Sequence, residues 1–254
     1  MIRLHRLLTP VAILAALLVA PLKVAIAAEP VDLLLVLASD VSRSVDATKF
    51  QLQREGYAAA IANPHVLDAI KSGTNGRIAI CFVEWSGLAS QKVVIDWMLI
   101  DGPKAAQQFG DRLIETPRSF ADRTSISGGI EFAVAQFPHA PFESSRHTID
   151  VSGDGTNNSG RDVTSARDQA LALGIAINGL VILSDNPLPW NPEHTNPPGG
   201  LANYYRNNVT GGPGSFVMEA KDFNSFGHAI IAKLIAEVAA QPPALRTARA
   251  GPAR

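Results

Sequence analysis

Asp40-Val41-Ser42-Arg43-Ser44 sets one carboxylate and two hydroxyls on alternate positions directly after the apolar run Val31 to Ala38. Hard oxygen donors at the mouth of a buried strand suit a divalent cation. Two later segments carry donors of the same kind: Thr124 in Asp122-Arg123-Thr124-Ser125, and Asp154 in Val151-Ser152-Gly153-Asp154-Gly155, which follows another strand-like run. A set made of Asp40, Ser42, Ser44, Thr124 and Asp154 offers only oxygen, which favours Mg²⁺ first, with Mn²⁺ or Ca²⁺ next, over Zn²⁺. Hydroxyls are neutral ligands, so an ion held this way keeps net positive charge and attracts a carboxylate from outside.

Each donor also has a plainer use. Ser44 can cap a helix beginning near Val45, Thr124 one beginning at Ser125, and Asp-Gly is a common turn dipeptide. Only the joint order of the three segments favours the cation.

The elements that must position these donors alternate between strand-like and helix-like runs. Strands are expected at Val31 to Ala38, Arg77 to Trp85, Lys92 to Leu99, Arg146 to Ser152, Ile175 to Leu183 and Phe216 to Ala220. Helices are expected at Asp46 to Ala62, Pro103 to Glu115, Ser125 to Gln136, Arg161 to Leu173 and Phe223 to Ala239. The link Ser86 to Gln91 is too short for a helical crossover, so the second and third strands form an antiparallel hairpin. The fold class that follows is α/β, with a Rossmann-like, mostly parallel sheet, one antiparallel edge strand and helices on both faces. Ligands of such sheets sit beyond the carboxyl ends of strands where the strand order reverses. Asp40 and Asp154 share that crevice if their strands are neighbours.

Asp-x-Ser-x-Ser after the first strand, a Thr before a mid-domain helix and Asp-Gly after the fourth strand together resemble the von Willebrand factor type A (vWA) domain and its metal-ion-dependent adhesion site. The resemblance covers residues 31–240. Together with a secretory signal and a long Asn/Pro/Tyr-rich loop, it is similar more narrowly to a bacterial family of type A-like proteins of unknown function. It implies that Asp40, Ser42, Ser44, Thr124 and Asp154 ligate a cation, directly or through water, and that a partner protein or peptide completes the shell with an Asp or Glu. It implies a non-enzymatic binding domain. Arg43 departs from the small residue usual inside the first motif. Two other readings stand beside this one: a metal-dependent hydrolase of phosphate or related esters, with Arg43 holding substrate, and a metal-free scaffold.

Residues 1–27 read as a secretory signal: Arg3 and Arg6, the apolar run Val11 to Ala20, and a small-x-small site at Ala25-Ile26-Ala27. Pro21 and Lys23 interrupt that run short of the roughly 20 residues a spanning helix needs. A periplasmic or secreted protein with no membrane span after signal removal is expected. Removing Arg3, Arg6 and Lys23, and no acid, leaves 19 basic against 23 acidic side chains. The basic residues form no stripe, so no nucleic acid is expected as a partner. The 254 residues, 46% hydrophobic and 18% charged, suit one globular domain. Residues 241–254 lack apolar periodicity and are expected to be disordered.

Other chemistry finds little support. Cys81, the single cysteine, lies in the apolar run Ile78 to Val83 and reads as a small buried hydrophobe. The six histidines form no His-Glu-x-x-His, and His194 and His228 read as surface and helix residues. Asp150 interrupts an apolar strand and is expected to pair with a base such as Arg146 or His147, or with backbone donors. The loop 184–214 carries Trp190, Tyr204, Tyr205 and Arg206, which either pack on the domain or face a partner.

Overall fold

The computed structural model describes residues 28–184 and 188–239; the expected signal, 1–27, and tail, 241–254, lie outside the described residues. In chain order the elements are β1 (Glu29–Pro30), β2 (Leu34–Asp40), α1 (Ala47–Ile61), α2 (Pro64–Lys71), β3 (Ile78–Trp85), β4 (Gln91–Ile100), α3 (Pro103–Glu115) and α4 (Ile126–Val134). There follow β5 (Phe142–Glu143), β6 (His147–Gly153), α5 (Val163–Ala172), β7 (Ile175–Ile182), α6 (Pro192–Thr195), α7 (Leu201–Asn208), β8 (Val217–Ala220) and α8 (Phe226–Ala239).

Six strands form the main sheet in the order β4-β3-β2-β6-β7-β8, and only the β3–β4 pair is antiparallel. The chain leaves β2 toward β3 and β4, then returns to β2's other side with β6. The strand order therefore reverses between β2 and β6, where Ser39 pairs with Ser152. Asp40 and Asp154 leave the sheet beside each other there.

β2 is buried along its whole length, and its residues divide by pleat parity. Leu33, Leu35 and Leu37 join one core with Tyr57 of α1, Phe109 of α3 and Phe226 of α8. Leu34, Val36 and Ala38 join the other with Ile130 of α4, Ala166 of α5 and Tyr205 of α7. An unbroken aliphatic run is what a strand covered on both faces requires.

Two features depart from the expected elements. Asn63 accepts from His65 N at 2.9 Å and Pro64 opens a further helix, α2, where the sequence suggests only a loop. The stretch 184–214 carries the short helices α6 and α7, and α7 buries Leu201 and Tyr205. Among the described residues no helix is long and apolar enough to cross a membrane.

Candidate metal centre

Four loop segments meet at the carboxyl end of β2. Ser42 N donates to Asp40 Oδ1 at 2.6 Å, which folds the first motif back over the strand end. Ser42 Oγ and Ser44 Oγ are 3.2 Å apart, and Ser44 Oγ donates to Asp154 Oδ1 at 2.6 Å. Asp40, Ser42, Thr124 and Asp154 are all buried. Neither suspected cap is a cap: Asp46 accepts from Lys49 N to start α1, and Ser125 accepts from Gly128 N to start α4. Ser44 and Thr124 are thereby left available to the crevice.

Asp40 Oδ2 is buried without a hydrogen-bond partner among the described residues. Burial, and then the charge of Asp154, push the Asp40 carboxyl up to about 8. Asp154 is raised as well, by burial, against the hydrogen bond from Ser44 and the charge of Lys49. Two buried acids with an orphaned oxygen are a costly arrangement on their own. A divalent cation held by these residues would relieve both burdens, so the residues present fit such an ion. Among the described residues no three His, Cys, Asp or Glu side chains converge as a metal site; the oxygens gathered here come from two carboxylates and neighbouring hydroxyls.

Thr124 is held from three sides. Its N–H donates to Asn158 Oδ1 at 3.0 Å, its carbonyl accepts from Asn158 N at 2.9 Å, and its hydroxyl lies 3.2 Å from His194 Nε2. The first bond fixes the Asn158 amide, so its Nδ2 faces His194 Nδ1 at 3.4 Å and must donate to it. The imidazole proton then sits on Nε2 and points at Thr124 Oγ1. His194 is buried, not at the surface as its sequence setting suggests, and burial depresses its pKa. A Cβ on Gly155 would run into the His194 ring, so a larger residue there would have to displace the imidazole.

Sequence reasoning also missed the braces. Arg118 Nη2 donates to Val41 O at 2.6 Å and Ser42 O at 2.8 Å, and its charge lowers the Asp40 pKa. Lys49 Nζ donates to Ser44 O at 2.8 Å and stands 3.9 Å from Asp154 Oδ2. Asn157 Oδ1 accepts from Ser127 N at 3.1 Å. The only sequence cue to these residues is the polarity of the loops that carry them.

A cavity of about 380 Å³ opens beside the donors and is lined by Ser44, Thr124 and His194 together with Arg43, Arg123 and Trp190. Trp190 is 75% exposed, whereas Tyr205 is fully buried and the Tyr204 hydroxyl oxygen accepts from Asn157 N at 3.1 Å. The aromatics of the long segment therefore divide between packing and display.

A family model described as protein of unknown function (DUF1194) matches residues 30–242. None of the curated proteins matches the chain. Proximal thread matrix protein 1 from the mussel byssus is similar in structure, with 15% identity over 83% of this chain and 47% of that one and a TM-score of 0.56. A second structure of the mussel protein carries zinc in its MIDAS motif. A von Willebrand factor type A protein from Catenulispora acidiphila aligns at 13% identity, 82% and 42% coverage, and a TM-score of 0.52. An aerotolerance-related membrane protein from Bacteroides fragilis aligns at 17% identity, 81% and 99% coverage, and a TM-score of 0.51. This chain spans about half the length of the mussel protein. At these identities the likeness establishes a vWA-like fold.

Proposed function

The chain belongs to the DUF1194 family of proteins of unknown function, and from that premise we propose that it is an exported, non-enzymatic domain that binds a protein or peptide through a divalent cation. The observation that carries this reading is the buried, unpartnered Asp40 Oδ2 beside a second buried acid. Asp40 and Asp154 would supply the charge, and Ser42, Ser44 and Thr124 neutral oxygens. The ion, when bound, offers an electrophilic position to an incoming carboxylate. The residues around it do the rest: Arg118 and Lys49 brace the first motif, Asn158 and His194 orient Thr124, and the cavity gives a ligand room to enter. The fold shared with a protein that holds zinc at its MIDAS motif supports the reading, as does the match of donor types to Mg²⁺, Mn²⁺ or Ca²⁺.

Calorimetric titration of the metal-stripped protein with Mg²⁺, Mn²⁺, Ca²⁺ and Zn²⁺ tests it. Saturable binding is expected and should vanish in Asp40→Ala and Asp154→Ala. A folded protein that takes up none of the four ions would remove the basis for the proposal. Turnover of phosphate or carboxylate esters that is lost in Asp154→Ala would move the protein to the hydrolases.

A further inference from the structure

Asp150, Lys233 and Glu237 take no part in the site, yet all three are buried in the core. Asp150 lies midway along β6, on the face opposite Ile149 and Val151, and Lys233 and Glu237 stand one turn apart on α8. The side chains of Lys233 and Asp150 are wholly buried and that of Glu237 is 1% exposed. Lys233 Nζ lies 2.7 Å from Asp150 Oδ1 and is hydrogen-bonded to Glu237 Oε1.

Lys233 Nζ and Asp150 Oδ1 form a close ion-pair contact. Both Asp150 oxygens are buried without a bond in hydrogen-bonding geometry, and so is Glu237 Oε2. Asn178 Nδ2 donates to Glu237 Oε1 at 2.9 Å, and the Phe216 ring lies 5.2 Å from Nζ. Fully ionised, the three groups would leave one uncompensated negative charge in the core, and burial pushes Asp150 up to about 7. The Lys233 Nζ, the Asp150 carboxyl in contact with it and the Glu237 carboxyl on its other side are thus enclosed together in the core.

We propose that Lys233 and Asp150 condense into an intramolecular amide. Glu237 takes a proton from the Lys233 ammonium, and the freed Nζ lone pair attacks Asp150 Cγ. The tetrahedral carbon then expels one Asp150 oxygen as water, with Glu237 returning the proton to it and then taking the second Nζ proton, so that Glu237 ends as the carboxylic acid. One C–N bond forms, one C–O bond breaks, one water leaves, and no oxidant is required. Enclosure at contact distance supplies the effective concentration such a step needs. The product would tie the central strand β6 to the last helix, α8, in a chain whose lone Cys81 can make no internal disulfide.

The test is the mass of the isolated protein against that of its sequence from the determined N-terminus onward, followed by trypsin digestion. The expected protein is one water lighter than its sequence, and peptides 147–161 and 222–246 appear as one branched species with no cleavage after Lys233. In Glu237→Gln the lost water is restored and the two peptides separate. Unbranched peptides with cleavage after Lys233 in the unmutated protein overturn the proposal, whether or not the variant folds. Loss of ammonia with a branch on peptide 168–206 would also overturn it, by assigning the acceptor to Asn178.

Discussion

Ser44 and Asp46 separate the two roles that one short polar segment can play. Asp46 bonds Lys49 N as the cap of α1, whereas Ser44 turns its hydroxyl to Asp154. Asp46→Ala should therefore cost about 1 kcal/mol in urea denaturation and leave cation affinity unchanged. Ser44→Ala should do the reverse, weakening the cation with little loss of stability, as read by calorimetry. Asn158→Ala removes the bracket on Thr124 and should lower cation affinity about 5-fold, the equivalent of one neutral hydrogen bond. Proton linkage gives a further outcome. Asp40 is raised from 3.8 to about 8, so the metal-free folded state binds protons that the unfolded chain has released across that interval. Stability of the metal-free protein should fall as pH rises from about 4 to 8. Cation binding should release a proton below pH 8, measurable by titration in buffers of different ionisation enthalpy.

At the scale of elements, the loops are held to the sheet by charges buried under it. Glu84 near the end of β3 meets Arg54 of α1 at 2.5 Å, Arg54 Nη1 also donates to Leu113 O at the end of α3, and Ser119 N donates to Glu84 Oε2. This network fixes the segment from which Arg118 reaches Val41 and Ser42. Arg54→Ala leaves Glu84 buried without its counter-charge and should lower stability by about 3–5 kcal/mol in chemical denaturation. Asp150 corrects a simpler expectation about pairing. Arg146 sits at the start of β6 and donates to the carbonyls of Glu237 and Val238, and His147 points to the other face and stacks on Phe137 at 5.1 Å. Neither reaches Asp150, and Lys233 of α8 does.

The molecule as a whole couples its order to the site, because β2, β6 and four loops converge there. A cation that binds only the folded state should stabilise it by about 2.7 kcal/mol at a hundred times its Kd. The corresponding shift in thermal midpoint should be absent in Asp154→Ala. The sequence by itself determined the strands, most of the helices, the β3–β4 hairpin and the kinds of donor near the strand ends. Those follow from local periodicity and turn chemistry, which a few neighbouring residues encode. Only the tertiary structure decided that His194 turns inward onto Thr124, that Tyr205 packs while Trp190 stays exposed, that Ser44 and Thr124 are not caps, and that Lys233 faces Asp150. Each of these depends on which helix covers which face of the sheet and on the pleat parity of the strand beneath it, and residues far apart in sequence set both.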